Sequence, residues 1–188
     1  SLNRQLRRQK EVFTWQLVEQ SPGLWVPVLL GGNDIAIGQG QHLYGLFSSA
    51  RDAKEALLAI IKTEKLCKVT LGLEKVHSGS PCFARQLKAC TGACIGQESH
   101  MAHSVRLMTA LSALRLRDWP FEGAALLREG NLVHVIHHWC YLGTARDEAE
   151  LQVLLAEGKG DFSRDTYRIL IKHRDKLIDA RAASLALE

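Results

Sequence analysis

Four of the five cysteines in this 188-residue chain lie within 28 positions, and this grouping constrains the fold more than any other feature. The grouped residues are Cys67, Cys82, Cys90 and Cys94. The segment that contains them, residues 65–96, has little hydrophobic periodicity. A long irregular segment inside a compact domain needs something else to hold it. Because four thiolates suit either tetrahedral Zn²⁺ or an iron–sulfur cluster, the sequence predicts a metal centre here.

The spacing of these cysteines, C-x14-C-x7-C-x3-C, leaves more than one interpretation open. Only the last pair approaches the tight knuckle of a common structural zinc site. The looser pattern is acceptable to a cubane cluster, which is larger than a lone ion. The alternative is a set of ordinary buried thiols. An odd cysteine count without a secretory signal argues against a disulfide framework.

Composition predicts a globular protein of one domain, or one domain with a small appended subdomain. Apolar residues make up 46% of the chain and charged residues 23%. No apolar run approaches the roughly 20 residues that a membrane span needs. Residues 1–11 are polar and basic, unlike a signal peptide. We therefore expect a cytoplasmic protein with no membrane contact.

Alternating apolar residues and turn signals predict two hairpins. The first covers residues 12–30, with its turn at Ser21-Pro22-Gly23, and a short strand follows at 35–37. Residues 38–45 are expected to form a loop. The second hairpin covers 121–141, with one return strand over 132–141.

Helical spacing predicts about four helices. The first covers 50–64 behind a Ser49 cap, and the second covers 98–116. The apolar stripe of the second helix is Met101, Val105, Met108, Leu111 and Leu114. A third helix is capped by Thr144 with Asp147 and closes at Gly158. A fourth opens at Asp161 or Ser163 and turns inward the residues Tyr167, Leu170, Ile171, Leu177 and Ile178. The sequence therefore predicts an α+β fold of small antiparallel sheets or hairpins, with the cysteine-rich segment between two helices.

The charge is mildly basic, with 24 Lys and Arg residues against 20 Asp and Glu residues. The basic residues form two groups, one in the first ten residues and one around the cysteines. A solvated face is the simplest interpretation of each group. Their position beside a cysteine cluster also suits nucleic-acid binding.

Several motifs resemble the cysteine-rich region of UvrC and Cho, the endonucleases of bacterial nucleotide excision repair. The main motif is LKACTGACIGQE at 87–98, preceded by LC at 66–67, LGLE at 71–74 and PCF at 81–83. The resemblance extends from about residue 40 to 172 and is closer to the Cho members. It implies a [4Fe–4S] cluster, with zinc as the alternative, on Cys67, Cys82, Cys90 and Cys94. It also implies that His103 donates a hydrogen bond to the cluster. A capping or surface histidine is the alternative interpretation of this residue.

The first residues, LNRQLRR at 2–8, resemble the end of the family's GIY-YIG nuclease domain. We therefore expect residues 1–40 to form the end of the nuclease linker and the N-terminal hairpin. Residues 41–186 would form the Cho/UvrC-like region. The catalytic residues and their divalent metal would precede Ser1, in a parent that is a nuclease of this type or a 3′–5′ exonuclease fusion. This piece alone would be inactive.

The resemblance implies a non-catalytic region that supports DNA binding while the missing nuclease cuts 3′ to a lesion. It also implies damaged double-stranded DNA and a UvrB-like protein as partners, and a place in the SOS response. The basic residues expected to contact DNA are Arg4, Arg7, Arg8, Lys65, Lys68, Arg85 and Lys88. The alternative is a metal-stapled protein-interaction module without direct DNA contact.

Overall fold

A computed structural model describes residues 11–35, 37 and 42–185 of the chain. The chain divides into two compact units. The cysteine unit consists of Phe13–Gly31 and His42–Leu116, and the C-terminal unit contains residues from Arg117 onward with short segments around Val12 and Gly32. The predicted nuclease end at 2–8, with Arg4, Arg7 and Arg8, lies outside the described residues.

The cysteine unit contains a three-stranded antiparallel sheet in the order β2-β1-β3. Strands β1 (Phe13–Ser21) and β2 (Leu24–Gly31) form the predicted hairpin, in which Gly23 takes the positive φ that its turn needs. The third strand, β3 (Leu43–Phe47), corrects the prediction of a loop over 38–45. Ile35 and Ile37 are buried outside any strand, so the strand predicted at 35–37 is wrong. The sequence does not indicate β3, because a glycine inside a strand disfavours it locally. The strand forms because β1 pairs with it.

Three helices follow in this unit: α1 (Ala50–Glu64), the single turn α2 (Phe83–Gln86) and α3 (His100–Leu111). The predicted Ser49 cap is confirmed, because its hydroxyl accepts a hydrogen bond from the Asp52 amide at 3.0 Å. Helix α3 ends earlier than the predicted 98–116 and continues as a 3₁₀ turn at Ser112–Leu114.

The inward face of α3 differs from the predicted apolar stripe. Met101 and Val105 are exposed, whereas His103, Ser104 and Leu107 are buried. The Ser104 hydroxyl accepts from the Trp25 amide and donates to the Gly23 carbonyl, both at 2.9 Å. These bonds satisfy backbone groups of the hairpin, and for that reason a polar residue faces inward.

The core of the cysteine unit joins the sheet to α1 and α3. It contains Trp15, Leu17, Tyr44, Leu57, Leu66, Leu107 and Leu111, all nearly inaccessible to solvent. The Trp15 indole donates to the Ala53 carbonyl at 2.8 Å. The irregular segment that follows α1 also contributes to this core, through Leu66 and Leu71.

The C-terminal unit contains a four-stranded antiparallel sheet in the order β6-β5-β4-β7. Its strands are β4 (Ala125–Glu129), β5 (Leu132–His137), β6 (Cys140–Ala145) and β7 (Ile178–Asp179). The single return strand predicted over 132–141 is wrong, because the chain reverses at His138-Trp139, where both residues have positive φ. Histidine and tryptophan are not the residues that usually mark such a turn.

Three helices complete this unit: α4 (Glu148–Glu157), α5 (Arg164–Lys172) and α6 (Ala180–Leu185). Asp147 alone caps α4, since Thr144 lies within β6. The predicted fourth helix is too long: α5 starts behind the Ser163 cap and ends at Lys172, and Ile178 lies in a strand.

The predicted α+β class with two small antiparallel sheets is confirmed. The described residues contain six helices rather than about four, because α2 and α6 are too short to show a period. Among these helices none has the length and apolarity to cross a membrane.

Candidate metal centre

The four clustered cysteines come together in the irregular segment between α1 and α3. Cys67 follows the left-handed residue that ends α1, Cys82 is the N-cap of α2, and Cys94 lies in a 3₁₀ turn at Ala93–Ile95. The Sγ atoms of these three residues and of Cys90 all lie within 4.8 Å of one another. Three of these residues are buried and Cys94 is half-buried.

Each of the four sulfurs accepts a hydrogen bond from a backbone amide. The Arg85 amide donates to Cys82 Sγ and the Gly92 amide to Cys90 Sγ, both at 3.3 Å. The Thr70 amide donates to Cys67 Sγ and the Cys82 amide to Cys94 Sγ, both at 3.5 Å. Amide donors aimed at sulfur favour the thiolate, which is the form that binds metal.

Gly92 permits one of these bonds. Its φ of 92° lies in the left-handed region, and a Cβ there would lie 2.6 Å from Gln97 Oε1. A residue with a side chain would therefore displace either the amide on Cys90 or the loop that leads to α3.

Without a cation, the thiols differ in acidity. Burial raises the pKa of the Cys82 thiol to about 12 and also raises the pKa of the Cys90 thiol. Burial acts in the same direction on Cys67, but hydrogen bonds from Thr70 hold the pKa of that thiol below its ordinary value. Buried thiolates in one place repel each other, and a bound cation would remove that cost.

The donor set fits both candidate centres, which require different spacings between their sulfurs. Thiolates around one Zn²⁺ lie about 3.8 Å apart, given Zn–S bonds of about 2.3 Å in a tetrahedron. In a cubane each thiolate binds a different iron, so the sulfurs lie farther apart than around one ion. The observed limit of 4.8 Å is closer to the spacing for a single ion.

His103 reaches this site from α3. Its Nε2 accepts a hydrogen bond from the Cys67 amide at 2.9 Å. The expected donation from His103 to a cluster stays a prediction. The ring is fully buried, and burial lowers the pKa of His103. A neutral ring that accepts at Nε2 carries its proton on Nδ1.

Two polar residues outside the predicted site residues also hold the segment. The Arg106 guanidinium donates to the Glu64 carbonyl at 2.6 Å and to Glu98 Oε2 at 3.4 Å. Gln97 Oε1 accepts from the Arg85 guanidinium at 2.5 Å. Gln97 lies within the LKACTGACIGQE motif, which is its sequence signal, whereas Arg106 lies beyond that motif in α3.

The four predicted DNA contacts in this unit each lie within three residues of a clustered cysteine. Lys65 and Lys88 are exposed, and Lys68 is half-buried. Arg85 is half-buried and also donates to the Cys90 carbonyl at 3.4 Å, so its guanidinium bonds within the loop. The cysteines thus bring together the chain segments that carry these cations.

Cys140 is not part of the cluster. It lies at the start of β6 in the C-terminal unit, and burial raises the pKa of its thiol to about 11.

Comparison with known proteins identifies two family domains. Residues 30–113 match the family model of the UvrC/Cho excinuclease middle domain, and residues 124–187 match that of the excinuclease Cho C-terminal domain. All four clustered cysteines fall within the first match.

Several curated proteins are similar over most of the chain. Excinuclease Cho from Escherichia coli (strain K12) and from Shigella flexneri are each 37% identical over 174 residues, which is 90% of this chain and 57% of theirs. Excinuclease Cho from Salmonella typhi is 36% identical with the same coverage. No solved structure shows a significant match. The chain spans little more than half the length of these relatives. It belongs to the UvrC/Cho excinuclease family and contains that family's middle domain followed by the Cho C-terminal domain.

Proposed function

We propose that this chain is the DNA-supporting part of a bacterial nucleotide-excision-repair endonuclease. The observation that carries the proposal is the placement of cations beside the thiol cluster. Lys65 and Lys68 flank Cys67, whereas Lys88 comes from a second stretch of chain beside Cys90. Each of the three lysines lies within two residues of a clustered cysteine. A set of fixed cations is what binding to a phosphate backbone requires.

Arg85 takes a different role from the three lysines. Its guanidinium bonds to Gln97 and to the Cys90 carbonyl, so it fixes the loop between Cys82 and Cys94. We therefore assign phosphate contact to Lys65, Lys68 and Lys88, and loop positioning to Arg85. Arg4, Arg7 and Arg8 remain expected contacts outside the described residues.

We further propose that the four cysteines hold a metal centre with a structural role. The family resemblance favours a [4Fe–4S] cluster, whereas the sulfur spacing favours a single Zn²⁺. Either centre, when bound, cross-links three stretches of an otherwise irregular segment. Metal loss should therefore loosen the surface that carries the lysines without removing a reacting group.

In the whole protein, a GIY-YIG nuclease domain would cut 3′ to the lesion, with a divalent metal to activate water. The present region would hold damaged double-stranded DNA for that cut, together with a UvrB-like partner. We place this work in the cytoplasm, where bacterial DNA lies and thiols stay reduced.

Salt dependence of DNA binding tests the proposal. The affinity of the 188-residue chain for bubble and nicked duplexes is measured by fluorescence anisotropy across a salt series. A triple variant, Lys65→Glu, Lys68→Glu and Lys88→Glu, should bind more weakly and reduce the salt slope by about 3, near one per phosphate contact. A charge-matched control changes three exposed lysines elsewhere: Lys54→Glu, Lys159→Glu and Lys172→Glu.

The second candidate function is a metal-stapled protein-interaction module, and the internal bonds of Arg85 are the observation that favours it. Under that function the chain binds no DNA, or the two triple variants lose affinity equally. Either result would remove DNA support as the function of this surface.

A further inference from the structure

Two large apolar side chains stand exposed on the turn between Cys82 and Cys90. Phe83 and Leu87 leave 64% and 62% of their surface open to solvent. The Leu87 amide bonds to the Phe83 carbonyl at 3.2 Å, so the two residues lie one helical turn apart. Side chains four positions apart on a helix share a face. Together they form an apolar pair, with Phe83 at the start of α2 and Leu87 at its C-cap.

This pair stands on a turn that is fixed on both sides. Cys82 Sγ caps the turn by accepting from the Arg85 amide, and the Ala89 amide bonds to the Ala84 carbonyl at 2.8 Å. The Arg85 guanidinium then ties the turn to the Cys90 carbonyl and to Gln97. These hydrogen bonds fix the backbone of the turn, whereas the side chains of Phe83 and Leu87 remain exposed to solvent.

The chain around the pair is strongly basic. Residues 62–88 contain six Lys and Arg residues and two Glu residues. Lys88, which follows Leu87 directly, is exposed. Basic residues beside an apolar pair suit a partner that offers negative charge and an apolar contact. A DNA step that has lost its pairing or stacking offers phosphates and exposed base faces. Apolar wedges of Phe or Leu accompanied by Lys and Arg are a known means of entering such steps.

We propose that Phe83 and Leu87 form a wedge that enters an unpaired or unstacked DNA step while the neighbouring lysines hold the phosphates. The inference rests on the proposed function and deepens it, because it names the class of DNA that this surface selects. An undamaged duplex must first be unstacked, whereas a distorted site is already open. The wedge therefore confers a preference for distorted DNA, and the lysines confer affinity for any DNA.

The test compares an intact duplex with the same duplex carrying an unpaired bubble. Anisotropy gives the affinity of the 188-residue chain for each DNA at one salt concentration. The double variant Phe83→Ala, Leu87→Ala should lose about tenfold in affinity for the bubble and little affinity for the duplex. The loss of one base–aromatic stacking contact weakens binding by about this factor. A 2-aminopurine base in the bubble should show altered fluorescence with the wild-type chain and a smaller change with the variant.

Helix α3 offers a matched control. Met101 and Val105 are also an exposed apolar pair four residues apart, 66% and 57% open to solvent. Met101→Ala with Val105→Ala should leave the bubble preference unchanged. Phe83→Tyr keeps an aromatic ring and should also keep the preference, which separates loss of the wedge from a general disturbance of the turn.

The outcomes separate the two levels of inference. A wild-type chain that binds neither DNA contradicts the proposed function itself. If the wild-type chain and the Phe83→Ala, Leu87→Ala variant prefer the bubble equally, the wedge is overturned and DNA binding remains. Equal loss with the α3 control pair would also overturn the wedge.

Discussion

His103 Nε2 accepts a hydrogen bond from the backbone amide of Cys67, 36 positions earlier in the chain. The bond joins α3 to the first clustered cysteine, and both residues are fully buried. Within the described residues the other ring nitrogen, Nδ1, has no hydrogen-bond partner. The imidazole is therefore a neutral acceptor that fixes where the Cys67 backbone lies.

Replacing His103 with Ala should destabilise the chain by about 2 kcal/mol or more, because it leaves the buried Cys67 amide unsatisfied and opens a cavity. Urea unfolding measures the change, and metal content should fall with it. His100→Ala, at an exposed position one turn earlier, should change stability by less than about 0.5 kcal/mol. Equal stability of the two variants would contradict the positioning role of His103.

Serine at any one of Cys67, Cys82, Cys90 or Cys94 should abolish stable metal binding, since each supplies one of four ligands. Iron and zinc analysis of anaerobically purified protein, with a visible spectrum, measures this. Iron with a broad visible absorption identifies a cluster, and one zinc per chain identifies a single ion. Cys140→Ser should retain the wild-type metal content. Wild-type protein that binds neither metal and stays folded would show that the four cysteines are ordinary thiols.

Arg106→Lys should destabilise the chain by about 1–2 kcal/mol, because an ammonium cannot reproduce the planar contacts to Glu64 and Glu98. The Glu64 carbonyl lies in the last turn of α1 and otherwise lacks a helical partner. Thermal unfolding measures the loss. The comparison is Arg51→Lys, where an exposed guanidinium pairs with Glu55 at 2.7 Å, and the expected loss is near zero. A larger effect at Arg51 than at Arg106 would reverse this ranking.

The turn at His138-Trp139 should respond oppositely at its two positions. Both residues have positive φ, at 50° and 62°, as a two-residue hairpin loop requires. His138→Asn should stabilise the chain by up to about 1 kcal/mol, because Asn tolerates that conformation better. Trp139→Gly should cost about 3–5 kcal/mol, since Trp139 is buried and its indole donates to the Arg117 carbonyl. Chemical unfolding of both variants measures the contrast, and stabilisation by Trp139→Gly would show that backbone strain outweighs packing.

The sequence predicted features whose causes lie close together along the chain. The hairpin over 12–30 and the Ser49 cap are confirmed because a turn residue or a cap acts within a few positions. The four sulfurs lie together, as expected for an irregular segment between two helices that needs a cross-link. The metal itself stays a prediction.

Features that depend on distant partners were missed. Ser104 faces inward because it satisfies Trp25 and Gly23, about 80 positions earlier, which no helical period reveals. β3 forms because β1 offers an edge, and its interior glycine gives the opposite local signal. The turn at His138-Trp139 exists because Trp139 is anchored by the Arg117 carbonyl, so packing overrides turn preference.

The free energy of unfolding should fall as the pH drops below about 6.5, which is the ordinary pKa of histidine. His137 should account for part of this fall. Burial, with His138 stacked on its ring at 4.0 Å, lowers the pKa of His137 in the folded chain. In the described residues its Nε2 is buried without a hydrogen-bond partner. The unfolded chain therefore takes up a proton at a higher pH than the folded chain does, so acid favours unfolding, and full stability is present above the unfolded value.

Urea unfolding at about pH 7 and about pH 5.5 measures this effect on either side of the ordinary histidine pKa. His137→Gln removes the titrating group and should flatten the dependence on pH. His77→Gln, at an exposed position, should retain the wild-type dependence. A His137→Gln variant whose stability falls as steeply as that of the wild-type chain would assign the acid sensitivity to other groups.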